Sequence, residues 1–198
     1  NSHKKLKDYC ESINIGYATS VWDMTSAKEI ASISPDYIKI PSAMNNNLDL
    51  LKFLIDDYKG DVHLSFGMTY DSEIKTIFSL FESKKALSRL VIYSCTSGYP
   101  VPARDVCLLE ITKLKTIFSD KIKEYAFSGH HKGVAIDVAA YTLGSVWIER
   151  HFTKDRTWKG TDHAASLEPQ GLQKLVRDLS NTYQALNFKN SEILEIEK

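Results

Sequence analysis

Six short runs rich in β-branched residues alternate with helical patterns about every 20 to 35 residues, which predicts parallel βαβ units. Nearly every run ends in small, hydroxyl-bearing, charged or histidine residues, so polar chemistry is spread over the carboxyl ends of all the strands. That distribution is the habit of a barrel, whereas an open doubly wound sheet gathers its chemistry at one switch point. Neither G-x-G-x-x-G nor G-x-x-x-x-G-K-[ST] occurs, which further disfavours the open sheet. The expected fold class is therefore α/β, a (β/α)8 TIM barrel represented by about six βα units, with residues 1–198 as one partial-barrel domain.

In chain order, the strands are expected at Gly16–Ser20, Tyr37–Ile40, Asp61–Ser65, Leu90–Ser94, Glu124–Phe127 and Ser145–Glu149. Leu48, Leu51, Phe53, Leu54 and Ile55 fall within one helix-like run after the second strand. Ile74, Ile77, Phe78 and Phe81 recur at helical spacing after the third, as do Leu108, Ile111, Leu114 and Ile117 after the fourth. Ala135–Leu143 is rich in small residues and can pack closely on a sheet. Pro169 suits a first helical position, and Leu172, Leu175, Val176, Leu179, Tyr183 and Leu186 continue the last helix from there.

The bulk numbers exclude more than they assign. With 198 residues the chain is long enough to bury a substantial core, and its 43% hydrophobic and 25% charged content is ordinary for a globular domain. Basic and acidic residues balance at 25 each, so the charge favours neither nucleic acid nor an anionic membrane as partner. The longest apolar stretch, Gly133 to Ile148, is too short for a membrane span and carries Asp137. Cys10, Cys95 and Cys107 have no metal-type spacing and read as reduced thiols of a cytoplasmic protein. Asn1-Ser2-His3 is not a signal peptide.

The strand ends carry the candidate chemistry. One strand ends in Ser128-Gly-His-His131, and the next in Glu149-Arg-His151, followed by a polar loop with Asp155, Asp162 and His163. Adjacent parallel strands lie about 4.8 Å apart, so histidines at the same end can share one divalent ion and leave positions open for water and a carbonyl oxygen. An isolated pair of this kind equally serves to bond neighbouring loops. Lys39, in Lys-Ile-Pro-Ser42, sits where a strand presents its last side chain to the barrel mouth; it suits an anion clamp or a Schiff base, and also a solvated surface position. Ser65-Phe-Gly67, Thr96-Ser97 and Ser128-Gly129 join hydroxyls to small residues, which suits close approach of an anion, though each alone also suits a turn. Tyr99-Pro-Val-Pro102 is a stiff loop able to wall the site, and His63, inside a strand, reads as packing.

At these residues the chain resembles the N-acetylneuraminate (sialic acid) synthase family. The matching segments are Ala18-Thr19-Ser20, Lys39-Ile-Pro-Ser42, Leu64-Ser-Phe-Gly-Met68, Cys95-Thr-Ser-Gly-Tyr-Pro100, Ser128-Gly-His130, Glu149-Arg-His-Phe-Thr153 and Gly160-Thr-Asp-His-Ala-Ala-Ser-Leu-Glu-Pro169. The last two together are highly specific. Glu192-Ile-Leu-Glu-Ile-Glu197 is similar to the stretch before that family's carboxyl-terminal antifreeze-like domain.

The resemblance implies a (β/α)8 barrel holding strands three to eight, and a reaction that joins C3 of phosphoenolpyruvate to an N-acylmannosamine-like aldehyde and releases phosphate. It implies His130 and His151 as ligands of a divalent metal, Mn2+ first, with Mg2+ or Co2+ as alternatives. It puts Thr19, Lys39, Ser42, Ser65, Ser97 and Ser128 around phosphoenolpyruvate, and Tyr99 and Asp162 near the sugar and metal-bound water, with Lys39, Tyr99 and Asp162 as the catalytic set. A homodimer is implied as well, because the antifreeze-like domain of relatives reaches into the partner's active site.

Three departures surround the sugar end. Gly129 stands where the family commonly has Asp, Met44 where it often has an acidic residue, and Ser97 where some members have Asn. The first two barrel strands and the antifreeze-like domain lie outside these residues, and two open strand edges are expected to need upstream strands or another chain to cover them. Two other readings fit less of the sequence: a non-catalytic or partner-dependent subunit, and another phosphoenolpyruvate-condensing 3-deoxy-sugar-acid synthase. The latter would show a basic cluster for a sugar phosphate, and none stands out beyond Arg150, Lys154 and Arg156.

Overall fold

The computed structural model describes residues 2–198 and contains one six-stranded, all-parallel sheet. Its strands are β1 (Ala18–Ser20), β2 (Tyr37–Ile40), β3 (Asp61–Ser65), β4 (Leu90–Cys95), β5 (Glu124–Gly129) and β6 (Trp147–Arg150). They are paired in sequence order without a reversal, so among the described residues there is no switch point, unlike a doubly wound sheet. All six expected strands form; β4, β5 and β6 run one or two residues further toward the polar ends than their apolar content indicates.

The helices are α1 (Ser2–Ser12), α2 (Met24–Ala31), α3 (Leu48–Asp56), α4 (Asp71–Ser83), α5 (Glu110–Phe118), α6 (Ala135–Thr142) and α7 (Pro169–Ala185). The last five are those expected from the sequence. Helix α1 is additional: Ser2 and His3 lie in its first turn, and His3 Nδ1 is 2.6 Å from the Tyr17 hydroxyl. Helix α2 is additional too. It starts on a capping box in which Asp23 accepts from the Ser26 amide at 2.7 Å and Ser26 Oγ accepts from the Asp23 amide at 3.2 Å.

Alternation along the strands divides the molecule into two environments. Ile38, Ile40, Val62, Leu64, Leu90 and Ile92 turn outward and join Leu50, Leu51, Leu54, Ile77, Phe81, Leu114 and Phe118 of the helices in the main core. The opposite face carries Lys39, His63, Ser65, Tyr93, Ser128 and Glu149, because residues paired in register share a face. That face is concave. Lys39 on β2 and Glu149 on β6 meet at 2.9 Å, and the rings of Tyr37 and Trp147 lie 5.5 Å apart. In a flat sheet those strands would stand four spacings apart, about 19 Å, beyond the reach of both side chains together. The sheet is therefore curled into a partial barrel.

His63 confirms its packing role. It is fully buried, stacks on Tyr37 with centroids 3.7 Å apart, meets Trp147 edge-on and bonds the Tyr93 hydroxyl at 2.7 Å. Among the described residues no helix is long and apolar enough to cross a membrane.

Candidate active site

The polar ends of the strands converge on a pocket of about 320 Å3, and every expected site residue except Thr19 lines it. The pleat accounts for the exception. Thr19 pairs with Ile38 and turns with it to the helix side, whereas Ser20 pairs with Lys39 and lines the pocket in its place.

Lys39 is only 6% exposed, yet it is a cation on a strand. Its ammonium donates to Glu149 Oε1 at 2.9 Å and lies 4.7 Å from the centre of the Tyr93 ring, so both its charge and its stem are satisfied. Ser128 donates to the same carboxylate oxygen at 2.7 Å. Burial pushes the Glu149 carboxyl up, but the Lys39 ammonium and the bonds from Lys39 and Ser128 outweigh it and hold the group below its ordinary value.

The hydroxyls form a cradle beside this pair. Ser42 accepts from the Gly67 amide at 3.0 Å and approaches Cys95 Sγ at 3.8 Å. Gly67 lets the loop close on these hydroxyls, since a Cβ on it would come within 2.6 Å of Ser42 Oγ and closer still to Ser97 Oγ, and those side chains would have to shift. Ser65 is 2% exposed and its hydroxyl has no protein partner. Buried hydroxyls are normally satisfied, so this one is open to a water or ligand oxygen. Burial also pushes the Cys95 thiol up, so it contributes bulk rather than a thiolate.

Across the pocket the two expected imidazoles meet, with ring centroids 5.1 Å apart. His130 Nδ1 lies 2.9 Å from the Thr96 carbonyl oxygen, which only accepts, so that nitrogen carries the proton and Nε2 keeps a free lone pair. Burial lowers the His130 pKa, and burial together with neighbouring His130 lowers that of His151. Both shifts favour the neutral ring, the state a metal ligand needs. His151 Nδ1 is 3.5 Å from the Asp162 carboxylate, and Tyr99 covers both rings at 4.4 and 5.5 Å. This donor set fits one divalent ion held by two imidazoles. Among the described residues no group of three or more His, Cys, Asp or Glu side chains is arranged for a metal.

The sequence did not assign roles to Glu149 or Asp137. Glu149 was visible only as a strand-end acid, because its partner Lys39 lies 110 residues away. Asp137 is fully buried on α6 and binds Arg150; its signal was a lone carboxylate inside an apolar run.

Residues 1–191 match the NeuB family. The chain is 32% identical over 197 residues to the human N-acetylneuraminate-9-phosphate synthase, covering 100% of this chain and 54% of that one. It is also 32% identical over 186 residues to the N,N'-diacetyllegionaminic acid synthase of Campylobacter jejuni, covering 93% and 54%. The crystal structure of an N-acetylneuraminic acid synthetase from Leptospira borgpetersenii superposes with a TM-score of 0.86 at 31% identity, covering 98% of this chain and 66% of that one. A phospho-2-dehydro-3-deoxyheptonate aldolase of Thermotoga maritima shares the fold alone, with a TM-score of 0.76 at 16% identity. The chain spans about half the length of the curated relatives it matches. On the family match across nearly its whole length, the chain belongs to the NeuB family.

Proposed function

We propose that these residues carry the greater part of the active site of a synthase that condenses phosphoenolpyruvate with an N-acylmannosamine-like aldehyde to a nonulosonic acid. The reaction forms a bond from C3 of phosphoenolpyruvate to the aldehyde carbon, adds water at C2 and releases inorganic phosphate. The observation that carries this reading is one pocket holding the Lys39–Glu149 pair, the unpartnered Ser65 hydroxyl and two facing imidazoles. Its relatives are named as synthases of such acids.

Lys39, Ser42, Ser65, Ser97 and Ser128 bind the anionic groups of phosphoenolpyruvate. One buried ammonium with several hydroxyl donors suits a phosphate and a carboxylate held in a partly dry site. Glu149 orients the Lys39 ammonium, and is an acceptor for a proton where the anion meets the pocket floor. His130 and His151 would hold a divalent ion, Mn2+ first, which when bound supplies Lewis-acid polarisation of the aldehyde oxygen. Tyr99 shields the imidazole pair from solvent on one side, and Asp162 orients water beside His151. The working assembly is proposed to be a homodimer of chains containing further barrel strands.

A phosphate-release assay tests this reading. Release should require phosphoenolpyruvate and an N-acylmannosamine, or its 6-phosphate, together. Release from phosphoenolpyruvate alone, or none in a protein shown to bind both compounds, would count against it.

A further inference from the structure

A buried ionic network lies directly behind the imidazole pair. The Arg150 guanidinium donates to Asp137 Oδ2 at 2.5 Å, to the Gly133 carbonyl at 2.9 Å and to the His131 carbonyl at 2.6 Å. It also reaches the Ala165 carbonyl at 3.4 Å, and His131 Nε2 lies 3.3 Å from the same Asp137 oxygen. The side chains of Asp137, His131 and Arg150 are 0, 2 and 3% exposed. One planar group thus joins the end of β6, the loop after β5, helix α6 and the loop before α7.

Stability alone is a poor reason for this arrangement. His131 Nδ1, Asp137 Oδ1 and Arg150 Nε are buried without a partner, and each such atom carries a desolvation cost. Apolar residues of similar volume would fill the space without that cost. What the network does fix is geometry. Arg150 immediately precedes His151, His131 immediately follows His130, and Gly129 is paired with Arg150 across the sheet. Gly129 makes room for it, since a Cβ there would come within 3.0 Å of both Asp137 Oδ1 and the His131 ring. A change in the fork of Arg150 would therefore shift both histidine-bearing strand ends relative to each other.

We infer that Arg150 and Asp137 are positioning residues, a buried clamp that sets the spacing of the His130 and His151 rings for a shared divalent ion. This rests on the metal reading of those two histidines. It assigns neither residue any contact with substrate.

The test uses two variants of the full chain. Arg150→Lys keeps the charge and loses the fork, and the double variant Asp137→Leu/Arg150→Met keeps the volume and loses both charges. Mn2+ binding is read by loss of the free-ion EPR signal, with His151→Ala as the control for the site and a cooperative melt as the criterion of folding. The wild type should bind Mn2+ and lose it in His151→Ala. Both clamp variants should melt cooperatively and bind about tenfold more weakly or worse, the range found for outer partners of metal ligands. A folded variant that binds Mn2+ as the wild type does would overturn the clamp, and if the double variant does not fold, Arg150→Lys alone decides. A wild type that binds no Mn2+ would instead defeat the metal reading. The clamp would then be judged by a crystal structure of Arg150→Lys, in which an unchanged 5.1 Å ring separation overturns it.

Discussion

Lys39 and Glu149, 110 residues apart and on strands with three others between them, meet at 2.9 Å across the concave face of the sheet. That contact brings Lys39 to the strand that His151 follows, so phosphoenolpyruvate, if bound on Lys39 as proposed, would face an electrophile held at the imidazoles.

Replacing Lys39 by Met should weaken phosphoenolpyruvate binding by about 2 kcal/mol or more, because a charge-assisted contact is lost in a largely dry pocket. Titration calorimetry on protein competent to bind reads this directly. Unchanged affinity would remove Lys39 from the anion site.

His151→Ala should abolish turnover while leaving the thermal transition close to that of the wild type, since the ring is a third exposed and carries no core packing. A paired activity and melting measurement distinguishes this from general damage. Residual activity near the wild-type level would show that the imidazole pair is not needed.

Gly67→Ala should cost about 1–3 kcal/mol of stability through overpacking against Ser42 and Ser97, and loosen anion binding in the same variant. Melting and calorimetry read the two effects separately. A neutral outcome in both would mean that the hydroxyl cradle is slack.

Burial holds the His63 pKa down, from 6.5 to about 4. Between those values the unfolded chain binds a proton that the folded chain does not, so stability rises with pH. The His63 contribution is complete above pH 6.5, falls away as the pH drops, and levels off below about 4. The full swing is on the order of 3 kcal/mol. His63→Gln should remove that swing relative to the wild type in urea unfolding curves across the window. Parallel curves for the two proteins would contradict the assignment.

Most of the fold was legible because βα units announce themselves locally. The apolar, β-branched runs give the strands, and Ile74, Ile77 and Phe81 give α4 by spacing alone. Helices α1 and α2 were not legible: α1 buries no residue and offers only Leu6, Tyr9 and Cys10 as an apolar face, while α2 buries only Ala27 and Ile30, too little for a period to emerge. The site was legible as a set of strand ends. Its exact facing was not, and Thr19 shows why, since a shift of one residue in the pleat exchanges it for Ser20. The partners of Lys39 and Arg150 were hidden for a different reason. They come from curl and from helix docking, which no local pattern encodes.

The open edges of β1 and β6 present unpaired backbone. Light scattering on residues 1–198 should therefore find association or a bound partner. A well-behaved monomer with a cooperative melt would show that these edges are tolerated.

The central claim, one pocket for anion and metal together, is tested most directly by a crystal structure with Mn2+ and phosphoenolpyruvate. The account predicts an ion about 2.0–2.3 Å from nitrogens of both His130 and His151, with the phosphoenolpyruvate anion on Lys39 and Ser65. Phosphoenolpyruvate bound away from Lys39, or imidazoles that share no ion at saturating Mn2+, would contradict it.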